Sequence, residues 1–339
     1  MVNVRGYISS NFTKAFLTIF LPFFLIISLV FLVKISSLTS KIQISFGELF
    51  ELFAYSIPEI IFYTLPLSFV AALANVLIKL SQDNELIALY ALGLKAKKIL
   101  KSLLLLGTLF SLLLLSISFL AMPLSKQFYK SFKSSKKSEA KLNIVAGKLG
   151  QKFGNYYIYL ENKTEGIFHN IVIYNRTKKD EEQFFSAQEG KLNKKSHTTS
   201  LLLNNGYGYT YTKDGLQQVE YKKLEVYDTS KKSSFKFQDI SIYWSKAKKN
   251  KKIMKKALFY FFISLIPLLS VYIVAAFTMI NPRYHSNHSF IIIFTVTLIF
   301  YILASILQKW GNIYLLLLFI VSMISMGRWL FKKRVERYF

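Results

Sequence analysis

The sequence predicts a polytopic α-helical membrane protein with six transmembrane helices and a periplasmic all-β, jelly-roll-like insert between helices 3 and 4. Three observations predict this fold. The 339-residue chain is 53% hydrophobic with a mean hydropathy of +0.34, which is too apolar for a soluble protein. Its formal charge of +26 must lie outside the lipid. A polar central segment of roughly 130 residues alternates apolar with polar residues, as half-buried strands do.

Six stretches are apolar for long enough to cross about 30 Å of hydrocarbon, which takes roughly 20 residues of helix. They lie near 15–35, 56–79, 99–124, 257–280, 289–308 and 311–331. The first follows Arg5 and Lys14 and has no cleavage site of small residues, so we interpret it as a retained span rather than a signal peptide. Pro22, Pro66 and Pro267 fall within spans and predict kinks there.

The segment from 125 to 255 contains no proline and is predicted to be β-rich. The candidate strands are Tyr156–Glu161, Asn170–Tyr174, Gln183–Ala187, Leu201–Leu203, Tyr207–Tyr211, Val219–Val226 and Phe235–Tyr243, with turns such as Asn204-Asn205-Gly206 between them. About seven short strands at this spacing favour a sandwich, a jelly roll or a partly open barrel. The predicted domains are therefore 1–124, with spans one to three, the insert at 125–255, and 256–339, with spans four to six and a basic tail.

The segment that joins the second and third spans, about 81–94, is predicted to be a short cytoplasmic helix. Asp83 and Glu85 lie in its first turn, where the helix dipole favours negative charge. Gly93 can take the left-handed conformation that ends a helix, and lysines follow it. One face is formed at helical spacing by Leu86, Leu89, Tyr90 and Gly93. From periodicity alone, lying on the membrane and docking to a partner are equally open.

Residue types that the chain lacks argue against several functions. The sequence has no cysteine, so thiolate metal sites are excluded, and its four histidines lack metal-ligand spacing. The phosphate-loop pattern G-x-x-x-x-G-K-[ST] does not occur, so the chain cannot bind ATP in that manner. Glu59, near the start of the second span, is the only acidic candidate within the membrane, which argues against an ion-coupled carrier. We predict no catalytic residue, metal or cofactor in this chain.

Short motifs around the second span resemble the permease family that contains LptF and LptG. They are Ile57-Pro58-Glu59, Leu65-Pro66-Leu67-Ser68, the Glu85-Leu86 helix running into Ala91-Leu92-Gly93-Leu94, and Asn281-Pro282-Arg283 after the fourth span. The order of three spans, a β-rich insert and three more spans is also similar. The Pro58-Glu59 and Asn281-Pro282-Arg283 elements are closer to LptF than to LptG. The lysine-rich border of the insert departs from the family.

The resemblance implies a permease subunit of an ABC transporter that extracts lipopolysaccharide from the inner membrane and passes it to a periplasmic protein bridge. The implied partners are an LptG-like paralogous permease, a dimer of an LptB-like ATPase that binds ATP and Mg, and LptC-like and LptA-like periplasmic proteins. The insert would lie in the periplasm. The implied ATPase-coupling residues are Asp83, Glu85, Leu86, Leu89, Tyr90 and Gly93.

Lipopolysaccharide has anionic phosphates at headgroup depth and acyl chains in the bilayer, so its permease needs cations above an apolar wall. The candidate contacts are Lys34, Lys41, Lys126 and Lys130 for the phosphates, and Phe20 and Phe24 on the first span for the acyl chains. An ordinary interfacial position explains Lys34 and Lys41 equally well. A solvated charge run is the simpler explanation for Lys126 and Lys130, and lipid-facing packing is the simpler one for the phenylalanines.

Other interpretations stay open. The chain could be a permease for another anionic lipid or glycolipid, or a membrane sensor with a periplasmic ligand-binding domain. We expect no nucleic-acid partner, because part of the lysine excess reflects a skewed composition rather than binding chemistry. Cationic residues are equally numerous beside the proposed cytoplasmic loops and beside the insert. The positive-inside rule supports a periplasmic insert only because it discounts loops longer than about 60 residues.

Overall fold

The computed structural model describes residues 4–39, 44–142, 144–153, 155–164, 166–178, 181–195, 198–213, 215–227, 237–279 and 289–337. The chain divides into two compact units, each with an apolar core of its own. The first unit is helical and comprises Met1–Thr39, Ser45–Lys130 and Lys236–Phe339. The second comprises Ser40–Ile44 and Ser131–Phe235 and contains a β-sheet.

The helices extend through the predicted spans. Their bounds are α1 Val4–Thr39, α2 Phe46–Ala54, α3 Ile57–Gln82, α4 Glu85–Ala91, α5 Ala96–Ser116, α6 Met122–Leu142, α7 Ile240–Ser245, α8 Lys251–Thr278, α9 Ser289–Trp310 and α10 Ile313–Phe331. A π-helical turn, Ile117–Ala121, joins α5 to α6, and a second, Lys332–Glu336, extends α10. The described residues contain six helical stretches long and apolar enough to cross a membrane, which confirms the six predicted spans.

Side-chain caps mark where several of these helices begin. At α2, the Ser45 hydroxyl accepts a hydrogen bond from the Glu48 N–H, and the Glu48 carboxylate accepts one from the Ser45 N–H. This reciprocal pair is a capping box, which satisfies two backbone donors that the helix itself leaves free. The side chains of Asn250 and Asn312 cap α8 and α10 by a single bond, each accepting from the backbone N–H two residues later.

Helices α3 and α8 form the centre of the helical unit. Phe62, Phe69 and Phe262 on these helices are fully buried. Helix α8 packs against α3, α5, α9 and α10, whereas α1 packs mainly against α3. Helices α1, α9 and α10 leave many large apolar side chains exposed. Such surfaces are stable only where lipid or another protein covers them, in agreement with a membrane location.

One end of the helical unit, which we call the α4 end, holds α4, the start of α1 and the end of α10. A hydrogen bond from Tyr7 to Glu85 connects α1 to α4 there. Lys97, at the start of α5, forms a 3.2 Å ion pair with Glu336, which follows α10. These contacts place the connection between α3 and α5 beside both the first and the last helix of the unit.

The opposite end, which we call the Glu59 end, holds the start of α3 and of α8. Helix α3 has 26 residues, so its two ends are about 39 Å apart. Gln127 on α6 and Gln238 before α7 join here by two hydrogen bonds: the Gln127 side-chain amide donates to the Gln238 carbonyl at 3.0 Å, and the Gln238 N–H donates to Gln127 Oε1 at 2.7 Å. The chain therefore leaves the helical unit and re-enters it at the end opposite α4.

Helices α5 and α8 approach each other closely at Gly107. A Cβ atom added there would lie 3.0 Å from the Pro267 carbonyl oxygen and 3.1 Å from a methyl group of Val271. Nearby, the Ser111 hydroxyl accepts a hydrogen bond from the Leu268 N–H at 3.2 Å. Small residues allow such close backbone contact between membrane helices, where packing replaces the hydrophobic effect as the stabilising force.

We expect Gly107→Leu to lower the free energy of unfolding by about 1–3 kcal/mol, because the added side chain must push α5 away from α8. The measurement is the midpoint of thermal unfolding of the purified protein in detergent. Gly47→Leu is the matched control, since no described atom lies within 4 Å of the Cβ position at that helical glycine. Equal midpoints for the two variants would contradict the close packing.

The second unit contains a six-stranded antiparallel sheet in the order β1-β2-β3-β4-β5-β6. The strands are β1 Gln151–Phe153, β2 Tyr156–Thr164, β3 Ile167–Lys178, β4 Glu181–Lys195, β5 Thr198–Thr212 and β6 Gly215–Tyr227. The predicted all-β insert between the third and fourth spans is confirmed. Its described strands each pair with their neighbours in sequence, so they form one meander rather than the two facing sheets of a sandwich.

The predicted strand boundaries require three corrections. Leu201–Leu203 and Tyr207–Tyr211 belong to one strand, β5, and Asn204-Asn205-Gly206 lies inside it rather than in a turn. The short strand β1 was not predicted. The described part of Phe235–Tyr243 leads into helix α7 instead of forming a strand. Tertiary contacts explain this last error, because the Trp244 ring of α7 packs against the Phe119 ring and its indole N–H donates to the Phe119 carbonyl at 2.9 Å.

A line of distorted residues crosses the sheet, and we call it the crease. Asn170 on β3 and Asn205 on β5 both have a φ of 50°, a left-handed conformation that asparagine tolerates better than most residues. The register places both at the level of Gln188 on β4. On β3, Phe168 is buried before the crease and Ile171 is buried after it, an odd number of positions later. The pairing register with β2 does not change between them. Strand β3 therefore turns its opposite face inward beyond the crease, and β5 does the same, from Leu201 and Leu203 to Gly206 and Gly208.

Candidate functional site

Helix α4 is short, and backbone geometry fixes both of its ends. Asn84 precedes it in a left-handed conformation, with a φ of 58°. At the other end Gly93 has a φ of 78°, the Gly93 N–H donates to the Tyr90 carbonyl at 2.9 Å, and the Leu94 N–H donates to the Leu89 carbonyl at 3.1 Å. This is a Schellman motif, and it is the left-handed helix end expected at Gly93.

The apolar face of α4 points into the helical unit. Leu86 is 2% exposed, and Leu89 and Tyr90 pack partly buried against the same core. Burial raises the pKa of the Tyr90 hydroxyl above its usual value, so this group stays neutral. The role of these three side chains as partner anchors stays a prediction; within the chain, this helix of seven residues between two spans covers much of its own apolar stripe.

The outer surface of α4 is formed by small and apolar residues. Ala88 and Ala91 are exposed, and Leu92 is 79% exposed. Asp83 is also exposed, and its N–H donates to the Lys79 carbonyl at the end of α3. These residues, rather than Leu86, Leu89 and Tyr90, are the surface that α4 presents outside the helical unit.

Glu85 is engaged within the chain. The Tyr7 hydroxyl on α1 donates a hydrogen bond to Glu85 Oε2 at 2.6 Å, across 78 positions of sequence. A hydrogen bond to a carboxylate is stronger than one between neutral groups. This hydrogen bond directly connects α4 to α1. Sequence spacing alone did not indicate the contact.

Phenylalanines at every fourth position form a continuous stack along α1. The ring centroids of Phe12 and Phe16 are 6.0 Å apart, those of Phe16 and Phe20 are 5.2 Å apart, and those of Phe20 and Phe24 are 5.7 Å apart. Phe12 and Phe16 are buried, whereas Phe20 and Phe24 are partly exposed. The two predicted acyl-chain contacts are therefore the outer half of a stack whose inner half belongs to the core.

An apolar groove of about 740 Å³ lies beside this stack, between α1, α3 and α9. Phe23 lines it from α1 and Leu67 from α3. The remaining lining residues come from α9 and are Phe290, Ile293, Phe294, Thr297, Leu298, Tyr301, Ile302, Ser305, Ile306 and Lys309. Among the described lining residues Lys309 is the one charged group, and it stands at the Glu59 end of α9. The groove thus combines an apolar wall with a cation at its rim.

Sequence reasoning missed this groove. It indicated Phe20 and Phe24 on α1, whereas the lining uses Phe23 and most of one side of α9. A signal was present in the fifth span, where Thr297 and Ser305 interrupt an apolar run two helical turns apart and Lys309 follows one turn later. Lys34 is exposed at the Glu59 end of α1, with its ammonium 5.5 Å from the Phe31 ring centroid, and does not line the groove. Lys41 and Asn281-Pro282-Arg283 lie outside the described residues.

Lys126 and Lys130, which were predicted together, occupy different environments. The Lys126 ammonium donates to Glu59 Oε1 at 2.9 Å and to the Tyr260 hydroxyl at 3.1 Å. It therefore ties α6 to the starts of α3 and α8. Lys256 also stands over the Tyr260 ring, 5.3 Å from its centroid. Lys130 is exposed. The Glu59 carboxylate thus pairs with Lys126, and Tyr260 lies beside both Lys126 and Lys256.

Comparison with known proteins identifies a protein family that the chain matches. Residues 6–333 match the family model described as the lipopolysaccharide export system permease LptF/LptG. The match includes the helical unit, the insert and the groove-lining helices. It does not separate LptF from LptG, so the leaning toward LptF stays a prediction. A search of curated proteins found no match.

Proposed function

Because the chain belongs to the LptF/LptG family of lipopolysaccharide export permeases, we propose that it is the permease subunit of an ABC transporter that extracts lipopolysaccharide from the inner membrane and passes it to a periplasmic bridge. The observation that carries this proposal is the family match across residues 6–333. Six spans and a single β insert agree with it. Members of this family are permeases rather than enzymes, so the energy must come from another subunit.

The proposed partners follow from what this chain lacks and from what it leaves uncovered. It has no phosphate loop, so an LptB-like ATPase dimer would bind ATP and Mg beneath it. An LptG-like permease would cover the exposed apolar faces of α1 and α9, which border the open groove. LptC-like and LptA-like proteins would continue the β insert in the periplasm. The exposed edge strand β6 suits such a contact, because an unpaired edge offers backbone hydrogen bonds to another strand.

For coupling, we propose that the ATPase contacts the outer surface of α4, formed by Ala88, Ala91 and Leu92, with Asp83 beside it. Leu86, Leu89 and Tyr90 would hold α4 to the spans, so that α4 moves together with them. The hydrogen bond from Tyr7 to Glu85 would carry this movement into α1. Helix α1 forms part of the groove wall, so ATP turnover could change the width of the groove.

For the substrate, we propose that acyl chains occupy the groove between α1, α3 and α9, because its wall is apolar. Lys309 at the rim, and Lys34 at the same end of α1, would meet lipid phosphates at headgroup depth. Phe20 and Phe24 would extend the wall along α1, and the exposed Lys130 could add positive charge. Lys126 is the weakest phosphate ligand of the original set, because Glu59 and Tyr260 already bind its ammonium. Lys41 keeps its proposed role on sequence grounds alone.

The proposed topology places α4 in the cytoplasm and the insert in the periplasm, and labelling tests it. The native sequence has no cysteine, so one introduced thiol reports one position. We expect a membrane-impermeant maleimide to label Gln217→Cys, on exposed strand β6, in intact spheroplasts. Gln82→Cys, exposed at the end of α3, should react only after the membrane is permeabilised. Reaction of both positions in intact spheroplasts, or of Gln82→Cys alone there, would contradict the proposal.

The transport activity itself requires reconstitution. Proteoliposomes that contain this chain, the partner permease and the ATPase should release lipopolysaccharide to a periplasmic acceptor when ATP is added. Purified without the ATPase, the chain should hydrolyse no ATP. Release of a different anionic lipid with no release of lipopolysaccharide would overturn the substrate assignment while leaving the permease architecture intact.

A further inference from the structure

We propose that the β insert contains a binding site for neutral sugar residues, in a cleft that runs beside the crease. The natural ligand would be the glycan part of lipopolysaccharide, and this identification rests on the proposed function. The site is separate from the apolar groove of the helical unit, because every described residue that lines it belongs to the insert.

The cleft has a volume of about 330 Å³, within the range of small-ligand pockets. Its floor is a row of directly paired residues across β2 to β5: Tyr159, Val172, Ser186 and Tyr207. Three strand spacings separate the two tyrosines, which places their backbones about 14 Å apart. Tyr207 is 42% exposed, so its ring is available for contact. Aromatic rings flanking a short floor of Val172 and Ser186 are suited to stacking on the apolar faces of sugar rings.

The crease supplies amide groups along one side of the cleft. Asn170, Gln188 and Asn205 all line it, at the same level on three adjacent strands. The Asn170 side chain donates a hydrogen bond to Glu161 Oε2 at 2.6 Å. Among the described residues, the side chains of Gln188 and Asn205 have no hydrogen-bond partner. An amide offers both donors and an acceptor, which matches neighbouring hydroxyl groups on one sugar ring.

The charge of the cleft distinguishes a neutral sugar from the other parts of a glycolipid. The chain has a formal charge of +26, yet the described lining of this cleft contains Glu161 and neither lysine nor arginine. A phosphate group would meet a carboxylate without a compensating cation. An acyl chain would remove water from Gln188 and Asn205 without replacing their hydrogen bonds. A peptide strand would pair with an edge of the sheet rather than with its face.

The test is saturation-transfer NMR on the full-length protein in phosphatidylcholine nanodiscs. The probe is core oligosaccharide released from lipopolysaccharide by mild acid and then dephosphorylated, so that it carries neither lipid A nor phosphate. We expect transfer to the sugar-ring protons with the native protein. Tyr207→Ala and Gln188→Ala should each weaken binding by about tenfold, which corresponds to the loss of one stacking or hydrogen-bonding contact. Both positions are on the protein surface, and thermal unfolding of each variant verifies that the sheet is intact.

Tyr211→Ala is the matched control, because Tyr211 is an exposed tyrosine four residues along β5 that does not line the cleft. Its binding should equal that of the native protein. Absence of transfer with the native protein, or binding by the Tyr207→Ala and Gln188→Ala variants as strong as that of the native protein, would overturn the site. Tighter binding of the phosphorylated oligosaccharide would overturn its assignment to neutral sugars.

The result of the sugar-binding test can be distinguished from the result of the transport test. If lipopolysaccharide release proceeds normally while the oligosaccharide fails to bind, only the sugar site is overturned. If the oligosaccharide binds as expected but the reconstituted transporter releases no lipopolysaccharide, the sugar site stands and the proposed transport function is overturned.

Discussion

Replacing Glu85 by lysine is expected to lower ATP-dependent release of lipopolysaccharide strongly in the reconstituted transporter. The Glu85 carboxylate accepts the Tyr7 hydroxyl hydrogen bond at 2.6 Å, and a lysine ammonium cannot accept one. The substitution also places a cation in the first turn of α4, where the helix dipole is unfavourable to positive charge. We expect release to fall by about tenfold or more and copurification of the ATPase to weaken.

Two further variants separate the hydrogen bond from the charge. Glu85→Gln removes the charge but keeps an oxygen acceptor for Tyr7, whereas Tyr7→Phe removes the donor and keeps the Glu85 charge. If the joint transmits movement to α1, Tyr7→Phe should lower release while the ATPase still copurifies. If the charge holds the ATPase, Glu85→Gln should reduce copurification as Glu85→Lys does. Normal copurification and normal release with Glu85→Lys would reject any coupling role for this residue.

The helical spans could be predicted because each is specified by its own local composition. A run of about 20 apolar residues is sufficient for a span, whatever its neighbours are. The conformation of Gly93 was also predictable, because a glycine after an apolar stripe and before lysines is a local signal for a helix end. The side of α4 that its apolar stripe would contact could not be predicted from the local sequence. Leu86, Leu89 and Tyr90 have the spacing of a docking face, but the core that they contact is formed by distant helices.

The strand errors have the same cause. Asn204-Asn205-Gly206 has the composition of a turn, and Asn205 does adopt a left-handed conformation, but β5 continues because β4 and β6 pair with it on both sides of that point. In the opposite direction, Ile240–Ser245 alternates like a strand yet forms a helix, since Trp244 packs on Phe119. The local sequence correctly indicated a distorted backbone at Asn205, and at Ile240–Ser245 it indicated only an apolar pattern. Pairing and packing determined the resulting structure.

The groove could not be predicted from α1 alone, because α1 is apolar on every side. Its mean composition provides no signal for whether Phe20, Phe23 or Phe24 faces a partner, a lipid or another helix. The packing of α1 on α3 decides this by directing Phe12 and Phe16 inward toward Phe69 and Phe110. Phe23, on a neighbouring face, is then left beside α9. The same packing brings Lys309, which precedes only a short loop in sequence, to the rim of the groove.

Filling the groove is expected to stop transport while leaving ATP hydrolysis largely intact. Ser305 is an exposed serine on α9 that lines the groove, so Ser305→Trp would place an indole ring in the space proposed for acyl chains. We expect lipopolysaccharide release to fall by about tenfold or more, because a rigid ring competes directly with the substrate for one apolar volume. The assay measures release and ATPase activity of the same reconstituted complex.

Ser322→Trp is the matched control, since Ser322 is also an exposed serine in a span, on α10, and does not line the groove. It adds the same side chain to the surface of the same unit, so any general effect of a membrane-facing tryptophan on assembly should appear in both variants. Loss of release confined to Ser305→Trp would then arise from the groove. Release at the native level by both variants would mean that the acyl chains pass elsewhere, and it would remove the role proposed for α9, for Phe23 and for the cation at Lys309.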